Sequence, residues 1–384
     1  MFHTSIIEIS KSALAQNIQF LRNLIGNDIR ISATVKGNAY GHGIQYYVPL
    51  AESLGIDHFS VFSAEEAHHI LQVKKPESTV MLMGMIADEH LAWAIAKGIE
   101  LYIFDQERLD AVIQAAQKND QKAVIHLELE TGMNRTGFKE AELDSLCKTI
   151  LENVNWIQIR GLCTHYAGAE STANHQRVSK QIVRFTQLKQ RLASMGIKAE
   201  IHHTACSAAS ICYPETRMDM VRLGIVMYGF WPSKEIYENF KALNPTVTDD
   251  PLKRLIKWKS QVMSLKFVKK GEFIGYGSSY MAATDMTIGL IPVGYAYGFS
   301  RNLSNTGTVL INGKRADVIG IVNMNLMSVN LNGNEDVNRG DEVVLIGQQK
   351  NEEISVASFE ELTNQPNYEL LTRLPHNIPR VIVE

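Results

Sequence analysis

A lysine follows the first β-rich run of the chain, and its position points to amine chemistry. Lys36 comes directly after the run Ile29–Val35, so a strand there would carry its side chain to an edge of a sheet. Removal of water lowers the pKa of a lysine and frees its amine to act as a nucleophile. The alternative is an ordinary strand-end lysine that reaches into water, and its position alone leaves both open.

Other residues with chemical potential lie at or just beyond the ends of later β-rich runs. They are Arg135, His165, Ser207, Arg222 and Gly224. Where parallel strands form a barrel, reactive groups collect at the C-terminal ends of the strands. We therefore expect these residues to surround Lys36. Each also has a plain alternative, such as a histidine packed in a barrel wall or a serine in a loop.

The elements that would position these residues alternate between β-rich runs and amphipathic helical stretches. The runs are Ile29–Val35, His58–Ser63, Thr79–Met83, Leu101–Phe104, Ala123–Leu129, Ile157–Thr164, Ala199–Thr204 and Met220–Tyr228, with helical patterns such as Asp105–Lys118 and Ala173–Met195 between them. Eight such alternations predict a parallel (β/α)8 TIM-like barrel over residues 1–240. A doubly wound sheet is the alternative, although no GxGxxG follows the first run.

The pattern changes near residue 240. Asn244–Pro251 contains two prolines and is typical of a linker. Beyond it, strand-like segments follow one another without long helices, and Asn312-Gly313 predicts a tight hairpin turn. The segments are Gln261–Val268, Met286–Val293, Thr308–Ile311, Val318–Val322 and Glu342–Ile346. We therefore expect a mainly β domain over residues 241–384.

Composition excludes several classes of function. The 384 residues suit about two domains, and a net charge of −3 argues against a dedicated nucleic-acid binder. No apolar run approaches the ~18 residues of a membrane helix, and the N-terminus does not resemble a secretory signal. The four cysteines contain no CxxC pair, which favours reduced thiols in a cytoplasmic protein over a metal site.

A long segment carries a resemblance to a known family. Residues 33–43, ATVKGNAYGHG, resemble the pyridoxal 5'-phosphate attachment motif of alanine racemases. Supporting segments follow in the family's order: Thr131–Arg135, Thr164–Ala167, Val221–Ile225, Ile274–Gly277, Ile291–Tyr295 and Tyr368–Leu370. The resemblance implies a pyridoxal-phosphate-dependent racemase that interconverts L-alanine and D-alanine and supplies D-alanine for peptidoglycan.

The resemblance implies two bases. Lys36 resembles the lysine that holds the cofactor covalently and moves a proton at the substrate Cα. Tyr276 resembles the base on the opposite face, because one group cannot readily reach both. A free phenol has a pKa near ~10 and needs positive charge nearby. Arg135 resembles the arginine that supplies this charge and meets the substrate carboxylate, whereas the plain alternative for Tyr276 is a strand tyrosine between turn glycines.

Further residues resemble the cofactor's ligands. Arg222 resembles the arginine that faces the pyridine nitrogen, and His165 resembles the group that orients it. Because a guanidinium only donates hydrogen bonds, it leaves that nitrogen unprotonated and weakens the ring as an electron sink. The phosphate is expected beyond the seventh and eighth strands. Its expected ligands are the Ser207 hydroxyl, the Gly224 and Ile225 N–H groups, Tyr40 and Tyr368.

The resemblance also implies a homodimer with shared sites. Tyr276 belongs to the β domain, and in the family it would reach the barrel of the other subunit. Met324 resembles a residue whose backbone meets the substrate from the same partner. Two-fold symmetry would then create two equal sites. The plain alternative for Met324 is a core methionine.

Several positions depart from the family's pattern and bear on substrate choice. Asn325, for example, removes one negative charge from the substrate entrance. A racemase for serine, or for a larger or basic amino acid, is therefore an alternative. A pyridoxal-phosphate-dependent decarboxylase and a non-catalytic cofactor-binding barrel are further alternatives, which Arg222 and Tyr276 respectively disfavour. The departures are Glu128, Cys206, Tyr297, Asn323 and Asn325.

Glu128 stands where many family members have a carbamylated lysine. Strand alternation places it on one face with His126 and Glu130. In those relatives the modified lysine presents an anion to the arginine that Arg135 resembles, and Glu128 would supply this charge directly. The alternative is a solvated or differently paired glutamate.

Overall fold

The computed structural model describes residues 3–356 and 367–384. The chain divides into two compact units. The barrel unit comprises Ala13–Lys36 and Tyr47–Lys253. The β unit comprises the segment that ends at Ser12, together with Gly37–Tyr46 and Arg254–Glu384. The segment after Lys36 therefore belongs to the β unit, whereas the boundary between residues 240 and 241 stays a prediction.

A nearly closed ring of parallel strands forms the barrel unit, which confirms the predicted TIM-like barrel. The first strand of the chain, β1 (Ile6–Ser10), lies in the β unit, and the barrel strands follow it. They are β2 (Arg30–Thr34), β3 (His58–Ser63), β4 (Thr79–Met85), β5 (Glu100–Ile103), β6 (Ala123–Glu128), β7 (Ile157–Cys163), β8 (Ile201–His203) and β9 (Met220–Leu223). Each pairs with its neighbour, and β9 pairs with β2. Backbone bonds from Asp219 N–H to His202 C=O (3.1 Å) and from Arg222 N–H to Ala205 C=O (3.0 Å) join β9 to β8.

Helices lie between these strands, and side chains fix where they begin. Asp105 accepts a hydrogen bond from the Arg108 N–H (2.8 Å), and Ser63 forms a capping box with Glu66. The longest helix of the described chain is His175–Ser194, close to the predicted Ala173–Met195. The right-handed α-helices of the described residues, in both units together, are Lys11–Ile25, Ile44–Ser53, Ala64–Leu71, Leu91–Ala96, Gln106–Asn119, Leu143–Glu152, His175–Ser194, Ser207–Cys212, Lys234–Leu243 and Asn367–Thr372.

The β unit contains one large, mainly antiparallel sheet, which confirms the predicted mainly β domain. Its later strands are β10 (Ile256–Gln261), β11 (Ser264–Val268), β12 (Met286–Ile291), β13 (Thr308–Ile311), β14 (Lys314–Ile319), β15 (Met327–Asn330), β16 (Glu342–Gln349), β17 (Glu352–Ile354) and β18 (Arg380–Val383). Asn312 and Gly313, with φ of 55° and 79°, make the predicted hairpin turn between β13 and β14. Strand β1 pairs with β10 and β18, a pairing that the sequence patterns do not reveal.

The interior of the barrel is unusually polar. Barrel interiors are normally filled by branched apolar side chains. Here the buried residues of the strands include several polar and charged ones: Ser32, His58, Ser60, Glu100, His126, His203 and Arg222. Because buried polar groups need partners, this interior must contain an organised hydrogen-bond network.

Two predictions from the sequence concern membrane helices and the cysteines. Among the described residues, none of the helices is both long enough and apolar enough to cross a bilayer. Cys147, Cys163, Cys206 and Cys212 are all free thiols.

Candidate active site

Lys36 stands at the C-terminal end of β2. Val35 is buried, and its N–H donates to the Ser60 C=O (2.9 Å), which continues the pairing with β3 to the last residue before the lysine. The Lys36 side chain is exposed in the single chain. Its surroundings nevertheless lower its pKa, first through loss of water and second through the positive charge of Arg135. The strand therefore presents an amine that gives up its proton more readily than a free lysine.

A left-handed turn follows Lys36. Gly37, Asn38, Ala39 and Tyr40 all have φ between 50° and 62°, and the Gly41 N–H donates to the Gly37 C=O (2.9 Å). Such a backbone costs roughly 1–2 kcal/mol for each residue that has a Cβ. The Asn38 side chain helps to hold it, because its Oδ1 accepts from the Ile44 N–H (2.9 Å). A strained segment beside a reactive lysine is typical of a functional site.

Gly41 shows how tightly this turn is packed within the β unit. A Cβ at Gly41 would lie 1.9 Å from the backbone oxygen of Leu371, and its φ of 80° also favours glycine. The Arg380 guanidinium donates to the Gly41 C=O (2.9 Å). Tyr40 lies in this turn, and its predicted contact with the phosphate stays a prediction.

Positive charge surrounds the barrel mouth near Lys36. Burial, followed by the charges of Arg222, Arg135 and Lys36, lowers the pKa of His165 to about 3. These four predicted residues therefore lie within electrostatic reach of one another, and His165 is neutral at physiological pH. A neutral imidazole among three cations adds no further charge, so the mouth suits an anionic molecule.

Arg222 is buried on β9, and strand pairing sets it opposite Ser32 of β2, four residues before Lys36. Its Nη1 donates to His203 Nδ1 (2.7 Å) and to the His203 C=O (2.6 Å). Its Nη2 donates to the C=O groups of Thr164 (2.8 Å) and Thr204 (3.2 Å). These four bonds fix the plane of the guanidinium and leave its Nε–H for another acceptor.

The ring that hydrogen-bonds to Arg222 is thus His203, which the sequence patterns did not single out. Among the described residues, Arg222 makes no hydrogen bond to His165. The orienting role assigned to His165 stays a prediction. His203 carried one signal in the sequence, because a histidine at the end of a buried strand needs a polar partner.

The predicted phosphate ligands of the barrel lie together. Ser207 begins the helix Ser207–Cys212, and Gly224 precedes the 3-10 helix Ile225–Tyr228. The Gly224 N–H donates to Ser207 Oγ (2.9 Å), so the two helix starts are adjacent. N–H groups in the first turn of a helix have no carbonyl partner within it, and they commonly bind anions. Cys206 precedes this helix without capping it through its side chain.

Glu128 is buried at the end of β6. Burial raises its pKa, while a hydrogen bond to Thr136 and the charges of Arg222 and Arg135 oppose the rise. Glu128 and Arg135 both line a small pocket beside β6, but within the described chain they form no direct ion pair. The interaction predicted between them is therefore one of longer range.

Tyr276 lies in an exposed loop of the β unit. Its side chain is 73% exposed and stands between Gly275 and Gly277, whose φ values of 80° and 66° favour glycine. A bridge between Phe273 and Met281 closes the base of the loop. Both of these side chains are also exposed. Among the described residues of the β unit, none covers this face of the loop, so the Tyr276 side chain is free to contact another molecule.

Met324 lies on a second exposed turn of the β unit. Its C=O accepts from the Ala296 N–H (3.0 Å), and the neighbouring Asn323 C=O accepts from the Tyr295 N–H (3.0 Å). Gly294 makes room for this approach, because a Cβ there would lie 2.0 Å from the Asn323 oxygen. Met324 is 56% exposed, which excludes the plain alternative of a core methionine.

The other departures of the β unit are spread along the same stretches of chain. Tyr297 ends the short helix Tyr295–Tyr297, and Asn325 is exposed next to Met324. Three of the five departures, Tyr297, Asn323 and Asn325, therefore lie beside the turn that carries Met324. The side chain of Tyr368 falls outside the described residues, and its predicted phosphate contact is not assigned.

Family models match both parts of the chain. The model of the alanine racemase N-terminal domain matches residues 9–232, and that of the alanine racemase C-terminal domain matches residues 255–382. The alanine racemase of Symbiobacterium thermophilum is 33% identical over 97% of this chain and 95% of its own length. That of Leptospira interrogans is 31% identical over 100% and 96%.

Solved structures of alanine racemases are also similar to this chain. The alanine racemase of Bacillus anthracis with bound L-Ala-P has a TM-score of 0.90 and 28% identity, over 100% of this chain and 96% of that one. The alanine racemase of Bartonella henselae with covalently bound pyridoxal phosphate has a TM-score of 0.84 and 26% identity, over 99% and 100%. The resemblance carried by the motif around Lys36 is therefore confirmed, and the chain belongs to the alanine racemase family.

Proposed function

We propose that this chain is a pyridoxal-phosphate-dependent alanine racemase that interconverts L-alanine and D-alanine. The observation that carries the proposal is the placement of Arg222 near the end of β9, beside the strand that ends at Lys36. A guanidinium at the cofactor's ring nitrogen leaves that nitrogen unprotonated. Arg222 would thus limit how strongly the bound cofactor withdraws electrons, which would favour return of the proton to Cα over decarboxylation or amino transfer.

The residues present fit this cofactor. Arg222 donates its four Nη protons to protein acceptors, so its Nε–H is the donor that remains for a ring nitrogen. The adjacent helix starts at Ser207 and Ile225 offer N–H groups and a hydroxyl for a phosphate. Lys36 would hold the cofactor covalently. When bound, pyridoxal phosphate withdraws electrons from the substrate and makes its Cα–H acidic.

The chain's own residues then move the proton. Lys36, whose pKa is lowered by its surroundings, takes or returns the proton on one face of Cα. Tyr276 of the partner subunit acts on the other face, since racemisation needs an acid or base on each. Arg135 attracts the substrate carboxylate to the mouth of the barrel. His165 remains neutral and does not compete for that anion.

A homodimer with shared sites follows from this division of labour. Tyr276 and Met324 belong to the β unit and are exposed in the single chain. Phe273 and Met281, on the same loop as Tyr276, are also exposed, and apolar surface of this kind favours a covering partner. We place the reaction in the cytoplasm, where the four free thiols would stay reduced and D-alanine would be available for peptidoglycan.

Chiral analysis of product tests the proposal. Purified protein loaded with pyridoxal phosphate is incubated separately with L-alanine, L-serine, L-lysine and L-arginine, and the D-isomers are separated and quantified. We expect D-alanine to form fastest, and the Lys36→Ala protein is the control. Faster racemisation of serine or a basic amino acid would overturn the substrate, and release of carbon dioxide would indicate a decarboxylase.

A further inference from the structure

A chain of hydrogen bonds runs through the barrel interior away from Arg222. His203 Nδ1 accepts from Arg222 Nη1 (2.7 Å), and His203 Nε2 is 2.8 Å from His126 Nδ1. His126 Nε2 is in turn 2.8 Å from an oxygen of Glu100. All four side chains are buried. Glu100 is the first residue of β5, so the chain links the mouth of the barrel to the opposite end.

The two ends of this chain fix the direction of every bond in it. Arg222 can only donate, so His203 Nδ1 must accept and its proton must be on Nε2. His203 Nε2–H then donates to His126 Nδ1, and the proton of His126 must also be on Nε2. His126 Nε2–H donates to the Glu100 carboxylate, which only accepts. Burial is the first cause that lowers the pKa of both rings, which agrees with neutral histidines.

A second branch ends on the same carboxylate. His58 Nε2 lies 3.2 Å from the Glu100 oxygen that His126 also contacts, and His58 Nδ1 lies 2.8 Å from Ser32 Oγ. Arg160 lies 3.5 Å from the other Glu100 oxygen. Burial alone would raise the pKa of the Glu100 carboxyl, but the hydrogen bonds from His126 and His58 lower it. Glu100 is therefore a permanent negative charge at the end of the chain.

The backbone makes room for this chain of hydrogen bonds. A Cβ at Gly161 would lie 2.0 Å from His126 Nδ1 and 2.8 Å from His203 Nε2, so only glycine permits the bond between the two rings. An irregularity in the pairing of β6 with β7 sits between Ile125 and His126, where it aligns His126 with Gly161. The Tyr102 ring stacks on His126, with centroids 5.9 Å apart. Three separate features thus accommodate one hydrogen bond.

We propose that Glu100 is a positioning residue for Arg222 and acts on it through His126 and His203. A buried guanidinium needs negative charge nearby. Glu128 lies within electrostatic reach of Arg222, and the Glu100 carboxylate at the end of the polarised rings adds a second negative charge without touching the guanidinium. Hydrogen bonds in a row strengthen one another, so His203 Nδ1 becomes a better acceptor and holds Arg222 more firmly. The Nε–H of Arg222 is then held in one fixed direction. The consequence for catalysis rests on the proposed function, whereas the existence of the hydrogen-bond chain does not.

Ring protonation in the unaltered protein is the first test, and it requires no enzymatic activity. Proton–nitrogen correlation spectra of histidine side chains distinguish Nδ1–H, Nε2–H and charged rings. We expect His126 and His203 as neutral Nε2–H forms, with strongly deshielded ring protons. A charged ring or an Nδ1–H form at His126 or His203 would overturn the proposal.

Glu100→Gln is the second test, with Glu52→Gln as its matched control. Both carboxylates are buried, and Glu52 accepts from the Lys75 N–H (2.8 Å) and the Ser78 hydroxyl (2.5 Å), outside the chain of rings. Glutamine keeps an acceptor for His126 but removes the charge. We expect the His203 Nε2–H resonance to move in Glu100→Gln and to stay in place in Glu52→Gln, although His203 is two hydrogen bonds from the substitution.

The loaded enzyme gives a third readout. In Glu100→Gln, we expect the visible absorption maximum of the bound cofactor to shift. We expect kcat to fall about tenfold or more, a size typical of lost outer partners of functional groups, with KM for alanine changed less than about twofold. Equal effects of Glu100→Gln and Glu52→Gln on spectrum, kcat and the His203 resonance would show that Glu100 is merely structural. A moved resonance and absorption maximum without any racemisation would instead contradict the proposed function.

Discussion

The two units of the chain hold their site residues in opposite ways. In the barrel unit, Arg222 is 6% exposed, and protein acceptors take every Nη proton. In the β unit, Tyr276 is 73% exposed and Met324 is 56% exposed. The barrel therefore pre-organises its side of the chemistry within one chain. The β unit instead exposes both groups, and their proposed roles require a partner that covers them.

The departures from the family's motif are spread unevenly over the two units. Glu128 and Cys206 depart from it in the barrel unit, whereas Tyr297, Asn323 and Asn325 depart from it in half-buried or exposed turns of the β unit. Exposed turns accept substitutions with little cost to stability, because few contacts depend on them. Substitutions in these turns can thus change the β unit and leave the buried arginine of the barrel unit unchanged.

Loss of Lys36 should have the largest effect. In Lys36→Ala, both the covalent attachment and one of the two bases disappear, so we expect racemisation to fall by about 10⁴-fold or more. The visible absorption of the lysine-bound cofactor should vanish as well. Absorption spectroscopy and chiral analysis of the same samples check this. An unchanged spectrum with retained activity would remove Lys36 from the site.

Tyr276→Phe should have the next largest effect, and a directional one. If Tyr276 serves one face of Cα and Lys36 the other, loss of the phenol should slow proton exchange about 10²–10³-fold on one face only. Deuterium incorporation from solvent, started separately from L-alanine and D-alanine, measures each face. Small and equal effects from both enantiomers would show that Tyr276 is not a base, and the exposed loop would then need another explanation.

A mixture of the two inactive proteins tests whether the units act across subunits. In a dimer of one Lys36→Ala and one Tyr276→Phe chain, one of the two sites combines a native barrel with a native β unit. Random exchange of equal amounts makes half of the dimers mixed, so about a quarter of all sites should be native. Activity assays after subunit exchange measure this fraction. Continued inactivity despite proven exchange would argue against the shared site.

Local patterns predicted those parts of the fold that depend on neighbouring residues. The alternation of strands and helices, and the Asn312-Gly313 turn, follow from short stretches of sequence. The role of β1 could not be found in this way. Its five residues lie before the barrel in sequence, yet they pair with β18 near the other end of the chain. No local pattern specifies a partner that is more than 370 residues distant.

The same limit applies to the site. The family's motif located Lys36, Arg135 and Arg222, but the rings that support Arg222 were not found, because each lies on a different strand. Strand alternation puts His126 on one face with Glu128, which correctly indicates that both side chains point the same way. It could not reveal that His203 meets His126, because the two rings lie on β6 and β8 and approach each other across Gly161 of the strand between them, β7.

Glu128 gives the smallest expected effect and the most direct test of how the barrel trades stability for function. Burial raises the pKa of its carboxyl, so the folded protein binds this proton more tightly than the unfolded chain does. The stabilisation from that proton is present in full below the unfolded pKa and is lost as pH rises through the higher folded value. At neutral pH the buried charge therefore opposes folding. Glu128→Gln, which keeps the shape but removes the charge, should melt a few degrees higher than the native protein at pH 7 and show no such gain near pH 4.

Activity should change in the opposite direction to stability. Without the negative charge, Arg135 loses an attraction that holds it near the mouth, and KM for alanine should rise. Because Arg135 is exposed, the loss should stay below about 1 kcal/mol, or about fivefold. The native protein should not respond to bicarbonate, since its anion is built into the side chain. Thermal melts at both pH values and KM measurements with and without bicarbonate check both halves. A variant that melts higher but binds alanine as the native protein does would show that Glu128 strains the barrel without positioning Arg135.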